Sequence, residues 1–213
     1  MKSTIKYLSI NKLHFLLFIF IIVLIIAFIQ QEYIMPLRME QMDLPETLRF
    51  EIIKQNAKFS WVAYLMSITI VLIRISYTAG CLYLGGVMYT GYEELTFNKA
   101  FNVALKVDLL LVLYSLMTIL LILHFGLNDA QDILIKTSLA GLVNAKLVEP
   151  WLLMVLGAFN IFELAYWFML ALLISAVINK KYSESFSFVL STYGLGFLLY
   201  LLMIVFVTLY VTK

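Results

Sequence analysis

Charged residues are scarce in this chain, at 13% of 213 residues against 63% for apolar types. An ordinary soluble domain carries about 25% charged residues, so this chain lacks the charge needed to coat a soluble globule. The scarcity excludes a soluble enzyme, a disordered protein and a nucleic-acid-binding protein, and the net charge of +2 offers little to a polyanion. The sequence predicts an integral membrane protein with no nucleic-acid partner.

Metal-binding and nucleophilic residue types are also few. Cys81 is the only cysteine, which excludes an intrachain disulfide and a cysteine metal cluster. His14 and His124 are the only histidines, too few for a typical zinc site. The chain has no G-x-S-x-G, H-E-x-x-H or phosphate-binding loop, and no nucleophile beside a base. We expect no catalytic residue, no metal, no cofactor and no enzymatic activity.

Long apolar runs are plentiful. A helix needs about 20 mostly apolar residues to cross roughly 30 Å of hydrocarbon. Five stretches qualify, at residues 13–29, 60–89, 104–123, 151–178 and 186–211. The sequence therefore predicts an all-α, polytopic membrane protein with five transmembrane helices in a single membrane domain, residues 1–213.

The first run is predicted to be a retained signal-anchor helix. Lys2, Lys6 and Lys12 precede it, and no A-x-A-like cleavage site follows Ala27. The basic residues of the loops divide evenly between the two sides of the membrane, so the N-terminal triplet decides the orientation. We expect the N-terminus inside and the C-terminus outside.

Two polar connections on the predicted outer face have amphipathic character. In residues 30–59, Asp43 and Glu46 have the spacing of a capping box, and apolar residues recur on one helical face beyond them. This predicts a short helix lying on the membrane surface, although a solvated lead-in turn for the second span explains the pattern equally well.

The second such connection, residues 124–150, repeats this pattern. Asn128 or Asp129 is expected to cap a helix, and Ile133, Leu134 and Leu142 to form its apolar side. Pro150 then suits the first turn of the fourth span.

An offset of 85 residues aligns the chain weakly with itself. Phe97 aligns with Tyr182 and Phe101 with Phe186, in each case at the start of an apolar run. Both copies have the same orientation, so the pattern indicates a parallel repeat of a helix pair. Secondary transporters are commonly built from inverted repeats, and their absence here weakens that interpretation.

Three of the ionisable residues within the apolar runs are informative, namely Arg74, Asp108 and Glu163. Arg74 and Glu163 both lie about 20 Å from the outer ends of their spans at 1.5 Å per residue, which predicts a bidentate pair. Asn160, one turn before Glu163, is expected to add a hydrogen bond. The pair either only pins two helices together or forms a polar site for a substrate, an ion or a partner helix. Asp108 is expected to pair locally or to reach the interface.

Small residues mark the inner half of the second span, namely Ser76, Gly80, Gly85 and Gly86. They predict close helix packing. The alternative is a kink or a break in the helix.

The second half of the chain resembles the bacterial branch of the Yip1-domain family of five-span membrane proteins. Residues 159–164, FNIFEL, stand for the family's LDxFxxW stretch, with Asn160 where the family often has aspartate and Phe162 matching its phenylalanine. Lys180 and Lys181 match its basic inner loop. Residues 95–101, LTFNKAF, look like its SFxxAL motif after the second helix.

This resemblance implies a five-helix bundle in the bacterial cytoplasmic (inner) membrane. Eukaryotic relatives work in vesicle traffic with small GTPases, but they carry a long cytosolic segment before the first span, where this chain has about a dozen residues, so that role is not carried over. The leading hypothesis is a scaffold or adaptor that binds lipids, another membrane protein or a second copy of itself through Arg74, Asn160, Glu163 and the glycine-lined span. The alternative is a small transporter or channel subunit with a polar path at Arg74 and Glu163.

Overall fold

The computed structural model describes residues 11–42, 45–144 and 147–211. Five helices in these ranges are long and apolar enough to cross a membrane: Lys12–Gln41, Glu46–Met88, Phe97–Phe125, Ile161–Ile178 and Tyr182–Tyr210. The same ranges contain no β-strand beyond one isolated bridge. The prediction of an all-α, polytopic membrane protein is confirmed.

The helices are α1 (Lys12–Ile29), α2 (Met35–Gln41), α3 (Glu46–Met88), α4 (Phe97–Phe125), α5 (Leu127–Lys136), α6 (Pro150–Ala158), α7 (Ile161–Ile178), α8 (Tyr182–Val189) and α9 (Leu195–Val211). π-Helical turns, Gln30–Ile34 and Leu190–Gly194, join α1 to α2 and α8 to α9. The first and last spans are therefore each one helical rod with a single wide turn in it.

The first wide turn has a local cause in Pro36. Proline has no N–H to donate within a helix, and its ring clashes with the carbonyl group four residues earlier. One wider turn relieves that clash, and the Met35 N–H accordingly donates to the carbonyl oxygen of Gln30, five residues back.

The second span is one uninterrupted helix of 43 residues, about 65 Å long at 1.5 Å per residue. Residues 46–59 form its first turns, so the predicted separate surface helix is wrong there and the lead-in alternative is closer. Asp43, the expected cap, lies outside the described residues, and Pro45 stands at the cap position instead. The predicted alternative of a break at the glycines is also wrong.

The third span begins at Phe97, seven residues earlier than predicted, because the Thr96 side chain accepts a hydrogen bond from the Lys99 N–H at 3.4 Å. Gly126, with φ of 83°, ends it and leads directly into α5. Asn128 and Asp129 therefore lie inside that helix rather than capping it.

Helix α5 is the second predicted amphipathic helix, but its buried side differs from expectation. Leu127 and Ala130 are the buried residues, packed near Ile122 of α4. Leu142, expected on the apolar side, is 81% exposed.

The fourth span is broken into two helices, and the sequence did not lead us to predict this break. Helix α6 begins at Pro150 as expected, but it ends at Ala158, and α7 starts at Ile161. At the break, the Leu139 N–H donates to the Phe159 carbonyl oxygen at 3.0 Å, and the Ile161 N–H donates to that of Thr137 at 3.1 Å. Non-helical backbone is tolerated in a span only where such partners satisfy its polar groups.

Helix α4 is the centre of the bundle, because it packs against α1, α3, α5 and α7. Its most deeply buried stretch, Val103–Asp108, meets Ile75, Ala79 and Leu82 of α3 and Leu170 and Ile174 of α7 in one hydrophobic core. This core lies between the two helix pairs that the 85-residue offset relates.

The loops at the Lys12 end of the bundle are tied together through Tyr92. Its ring stacks on Phe188 with the centroids 4.1 Å apart, and Lys180 Nζ lies 4.0 Å from its centroid. Its hydroxyl donates to the Glu184 carbonyl oxygen at 3.1 Å. Burial, together with the nearby Glu184 carboxylate, raises the pKa of the Tyr92 phenol.

Candidate functional site

Arg74 of α3 pairs with Asp108 of α4. Arg74 Nε lies 2.6 Å from Asp108 Oδ1 and Nη2 lies 2.9 Å from Oδ2, a two-bond pairing. The Asp108 side chain is fully buried, whereas that of Arg74 is 33% exposed. The predicted Arg74–Glu163 pair is therefore wrong, and so is the expectation that Asp108 pairs locally or reaches the interface.

The early start of α4 explains this outcome. Because the helix begins at Phe97, Asp108 lies eleven residues inside it, about 16 Å along the axis. Arg74 lies fourteen residues from Met88 at the same end of the bundle, about 21 Å away. The two side chains therefore come within reach of each other, and the aspartate is too deep to reach water.

Glu163 lies in the first turn of α7 and is held by neutral donors. Its Oε1 atom accepts hydrogen bonds from Trp167 Nε1 at 2.7 Å and from the Tyr193 hydroxyl at 2.9 Å. Tyr193 belongs to the wide turn between α8 and α9. The sequence reading missed both donors, although Trp167 is one helical turn after Glu163 and Tyr193 stands 85 residues after Asp108.

Asn160 caps α7 and takes no part in the ion pair. Its Oδ1 atom accepts hydrogen bonds from the Phe162 and Glu163 N–H groups, both at 3.0 Å. Its Nδ2 atom donates to the Ala158 carbonyl oxygen at 3.4 Å. The expectation that Asn160 supports an Arg74–Glu163 pair is wrong, because the side chain is used to start the helix after the break.

A buried tyrosine links the two helix pairs. The Tyr166 hydroxyl of α7 donates to Thr78 Oγ1 of α3 at 3.1 Å, and its ring centroid lies 5.4 Å from that of Tyr193. We call the following residues the polar cluster: Arg74, Thr78, Asp108, Glu163, Tyr166, Trp167 and Tyr193.

A cleft of about 200 Å³ lies between α1, α3 and α4 and reaches the polar cluster at Arg74. Five aliphatic side chains line it, together with Gln30, Ser67 and Ser115. The serine hydroxyls donate to carbonyl oxygens one turn earlier, Ser67 to Ala63 at 2.8 Å and Ser115 to Leu111 at 3.0 Å. We call this space the lateral cleft.

Arg74 has hydrogen-bonding capacity left over in the lateral cleft. A guanidinium carries five N–H donors, and two of them bond to Asp108. The other three have no hydrogen-bond partner among the residues that the structure describes. The Arg74 side chain is 33% exposed and lines the cleft, so this end of the cleft favours a ligand with acceptor oxygens.

The small residues of the second span do not all serve packing. A Cβ atom at Gly85 would lie 2.8 Å from Thr192 Cβ, and one at Gly86 would lie 3.3 Å from Leu95 Cβ. Gly80 has no atom within 4 Å of such a position, and Ser76 is exposed. Close packing is therefore found at Gly85 and Gly86, and the prediction is wrong for Gly80 and Ser76.

No group of three or more His, Cys, Asp or Glu side chains in residues 11–42, 45–144 and 147–211 is placed to hold a metal ion. No protein-family model, curated protein or solved structure matches the chain. The likeness to the Yip1-domain family therefore stays a prediction.

Proposed function

We propose that this chain is a non-catalytic, Yip1-like membrane scaffold or adaptor that binds a lipid or another membrane protein at the lateral cleft. One observation carries the proposal: Arg74 is fixed on one side by Asp108 and presents its remaining donors to a cleft between membrane helices. A preformed site with a small number of placed polar groups in an apolar wall is the usual form of a binding pocket.

The separation of the two acidic side chains supports binding over passage. Glu163 does not line the lateral cleft and is 7% exposed. Asp108 and Tyr166 are fully buried in the same cluster. A polar path through both Arg74 and Glu163 would require these packed groups to move apart.

We also propose that the Lys12 end of the bundle faces the cytoplasm of a bacterial cell. Lys12 Nζ donates to Asn98 Oδ1 at this end, where Lys180 and Lys181 also lie. Loops rich in lysine and arginine are retained on the cytoplasmic side. The lateral cleft extends from Arg74 toward the opposite, outer side, since Ser67 lies about 10 Å nearer that end of α3.

A small transporter or channel subunit is the second candidate, and the broken fourth span favours it. Transporter sites are typically formed where spans are interrupted, with helix ends facing the substrate. Here the break between Ala158 and Ile161 places Glu163 in the first turn after it. Transport would require α7 to move relative to α3 and open a path from Arg74 to Glu163.

Extraction of the full-length tagged protein in native-membrane nanodiscs tests the two candidates. Mass spectrometry should find a stoichiometric lipid or protein with the wild type and much less of it with Ser67→Phe, which fills the lateral cleft. Thr69→Phe is the matched control, because Thr69 lies two residues away, is exposed and has the same kind of hydroxyl bond to Leu65. Absence of any companion from all three proteins, with solute flux in liposomes, would replace the adaptor proposal with the transporter.

A further inference from the structure

We propose that the lateral cleft binds the carboxyl group of a long-chain fatty acid, with Arg74 as its hydrogen-bond donor. This inference rests on the proposed function and names its ligand. The Nε and Nη2 edge of the guanidinium is occupied by Asp108. The other edge, formed by Nη1 and the second Nη2 hydrogen, is a planar fork that matches the two oxygens of a carboxyl group.

The depth of Arg74 favours a carboxyl group over a phosphate. Arg74 is fourteen residues from Met88, about 21 Å along the helix from the lysine-rich end of the bundle. A phosphodiester keeps its charge and would be expensive to bring to this depth. A carboxyl group has a pKa of about 4 in water, so it can cross the hydrocarbon in its protonated form and then bind the guanidinium as a carboxylate, whose two oxygens both accept hydrogen bonds.

The walls of the lateral cleft suit the start of one acyl chain. Five aliphatic side chains from three helices line a space of about 200 Å³. A cavity needs only about 10–15 Å³ on this measure to hold one water molecule, so the space is large enough for a carboxyl group and its first methylenes. Ile70, which is 55% exposed, stands at the margin of the cleft, so the rest of the chain would continue into the bilayer.

Photocrosslinking tests the inference. The full chain, in phospholipid nanodiscs, is irradiated with a diazirine-bearing palmitic acid, and the modified peptides are identified by mass spectrometry. We expect adducts on α1 and α3 beside the lateral cleft, with Ser67→Phe reducing them about tenfold, equivalent to about 1.4 kcal/mol. Thr69→Phe should leave them unchanged. Unlabelled palmitic acid should compete, and its methyl ester should compete far less.

The outcomes separate this inference from the proposed function. Equal competition by the methyl ester, or equal labelling of Ser67→Phe and wild type, would overturn the carboxyl assignment. If a diazirine phospholipid or a co-extracted protein crosslinks at the cleft and the fatty acid does not, the inference fails while the adaptor proposal stands. If no probe and no co-extracted component is found at the cleft, both fail.

Discussion

The two helix pairs related by the 85-residue offset hold an ionisable side chain within the bundle in different ways. In the first pair, α3 and α4, Asp108 meets the cation of Arg74. In the second, α7 and the α8–α9 rod, the equivalent residue is Tyr193, and it donates to the carboxyl group of Glu163. The same position thus supplies an anion in one copy and a neutral donor in the other.

The difference matters because the ionisable side chain of the first pair is accessible from the lateral cleft, whereas that of the second pair is buried. Arg74 is one-third exposed in the lateral cleft, whereas Glu163 is 7% exposed with two donors on one oxygen. An ion pair that loses one member leaves an uncompensated charge. Removing a carboxyl group that is bound by neutral donors leaves only hydrogen-bond donors without an acceptor. The first pair should therefore be much more sensitive to neutral substitutions than the second.

The largest effect is expected for Asp108→Asn. It leaves the partly buried guanidinium of Arg74 without its counter-charge, and breaking an ion pair within the protein in this way costs about 3–5 kcal/mol. Denaturant titration of the purified protein in detergent or bicelles measures the loss. Asp129→Asn, on the exposed side of α5, is the control and should change the free energy of unfolding by less than about 0.5 kcal/mol.

Exchanging the two residues of a pair tests which side chain is the partner of Arg74. Exchanging the members of the Arg74–Asp108 pair should recover part of the stability that Asp108→Asn loses, because both charges keep a partner. Exchanging Arg74 and Glu163 should recover nothing, since those two side chains form no ion pair. Recovery by the second exchange and not by the first would mean that Arg74 pairs with Glu163 and not with Asp108.

The second prediction concerns Glu163. Glu163→Ala leaves the Trp167 indole and the Tyr193 hydroxyl without their acceptor, at about 1–3 kcal/mol for each unpaired donor. Because Trp167 is only partly buried, we expect the lower part of the resulting range of about 2–6 kcal/mol, namely about 2–4 kcal/mol. Glu163→Gln keeps an acceptor oxygen and should cost only about 1 kcal/mol. The same unfolding measurement applies. If the glutamine variant were as unstable as the alanine variant, the charge of Glu163 would matter, and the contrast between the two helix pairs would fail.

The third prediction tests packing between the pairs. Gly85→Ala places a methyl group against Thr192 and should cost about 1–3 kcal/mol through overpacking. Gly80→Ala meets no neighbour and should stabilise the helix by up to about 1 kcal/mol. Adding Thr192→Ser to Gly85→Ala should relieve part of the loss, because it removes the methyl group of Thr192. Equal effects at Gly80 and Gly85 would contradict the close approach of α3 to the wide turn.

The spans were predictable from sequence because apolar runs of this length are typical of helices that cross a bilayer. The partner of Arg74 was not, because the depth of Arg74 and Glu163 can be compared only if Ser60 and Pro150 lie at a common outer level. In the structure α3 continues to Glu46, and the fourth span is broken after Ala158, so neither residue marks that level. The position of Asp108 depended in turn on the cap at Thr96, a single hydrogen bond.

The sequence contains a signal for the break in the fourth span, which a count of apolar residues does not detect. Residues 160–163, NIFE, have an asparagine followed three residues later by glutamate, the spacing of a helix start. The asparagine does cap α7. The glutamate, however, bonds to Trp167 and Tyr193 through Oε1, so the full capping box was less informative than the N-cap alone. A capping pattern within an apolar run is thus a reason to expect two helices.

The smallest predicted effect lies where the loops of the two pairs meet. Lys180→Gln removes the cation above the Tyr92 ring and should cost about 0.5–1 kcal/mol, the usual value for a cation–π contact at an accessible site. Lys181→Gln, at the exposed neighbouring position, should change the free energy of unfolding by less than half of that. Each variant loses one positive charge, and the two positions are adjacent in the chain. A difference between their free energies of unfolding therefore measures the contribution of the Lys180–Tyr92 contact. Equal losses at both lysines would mean that positive charge at this end of the bundle matters and that the Tyr92 contact does not join the two helix pairs.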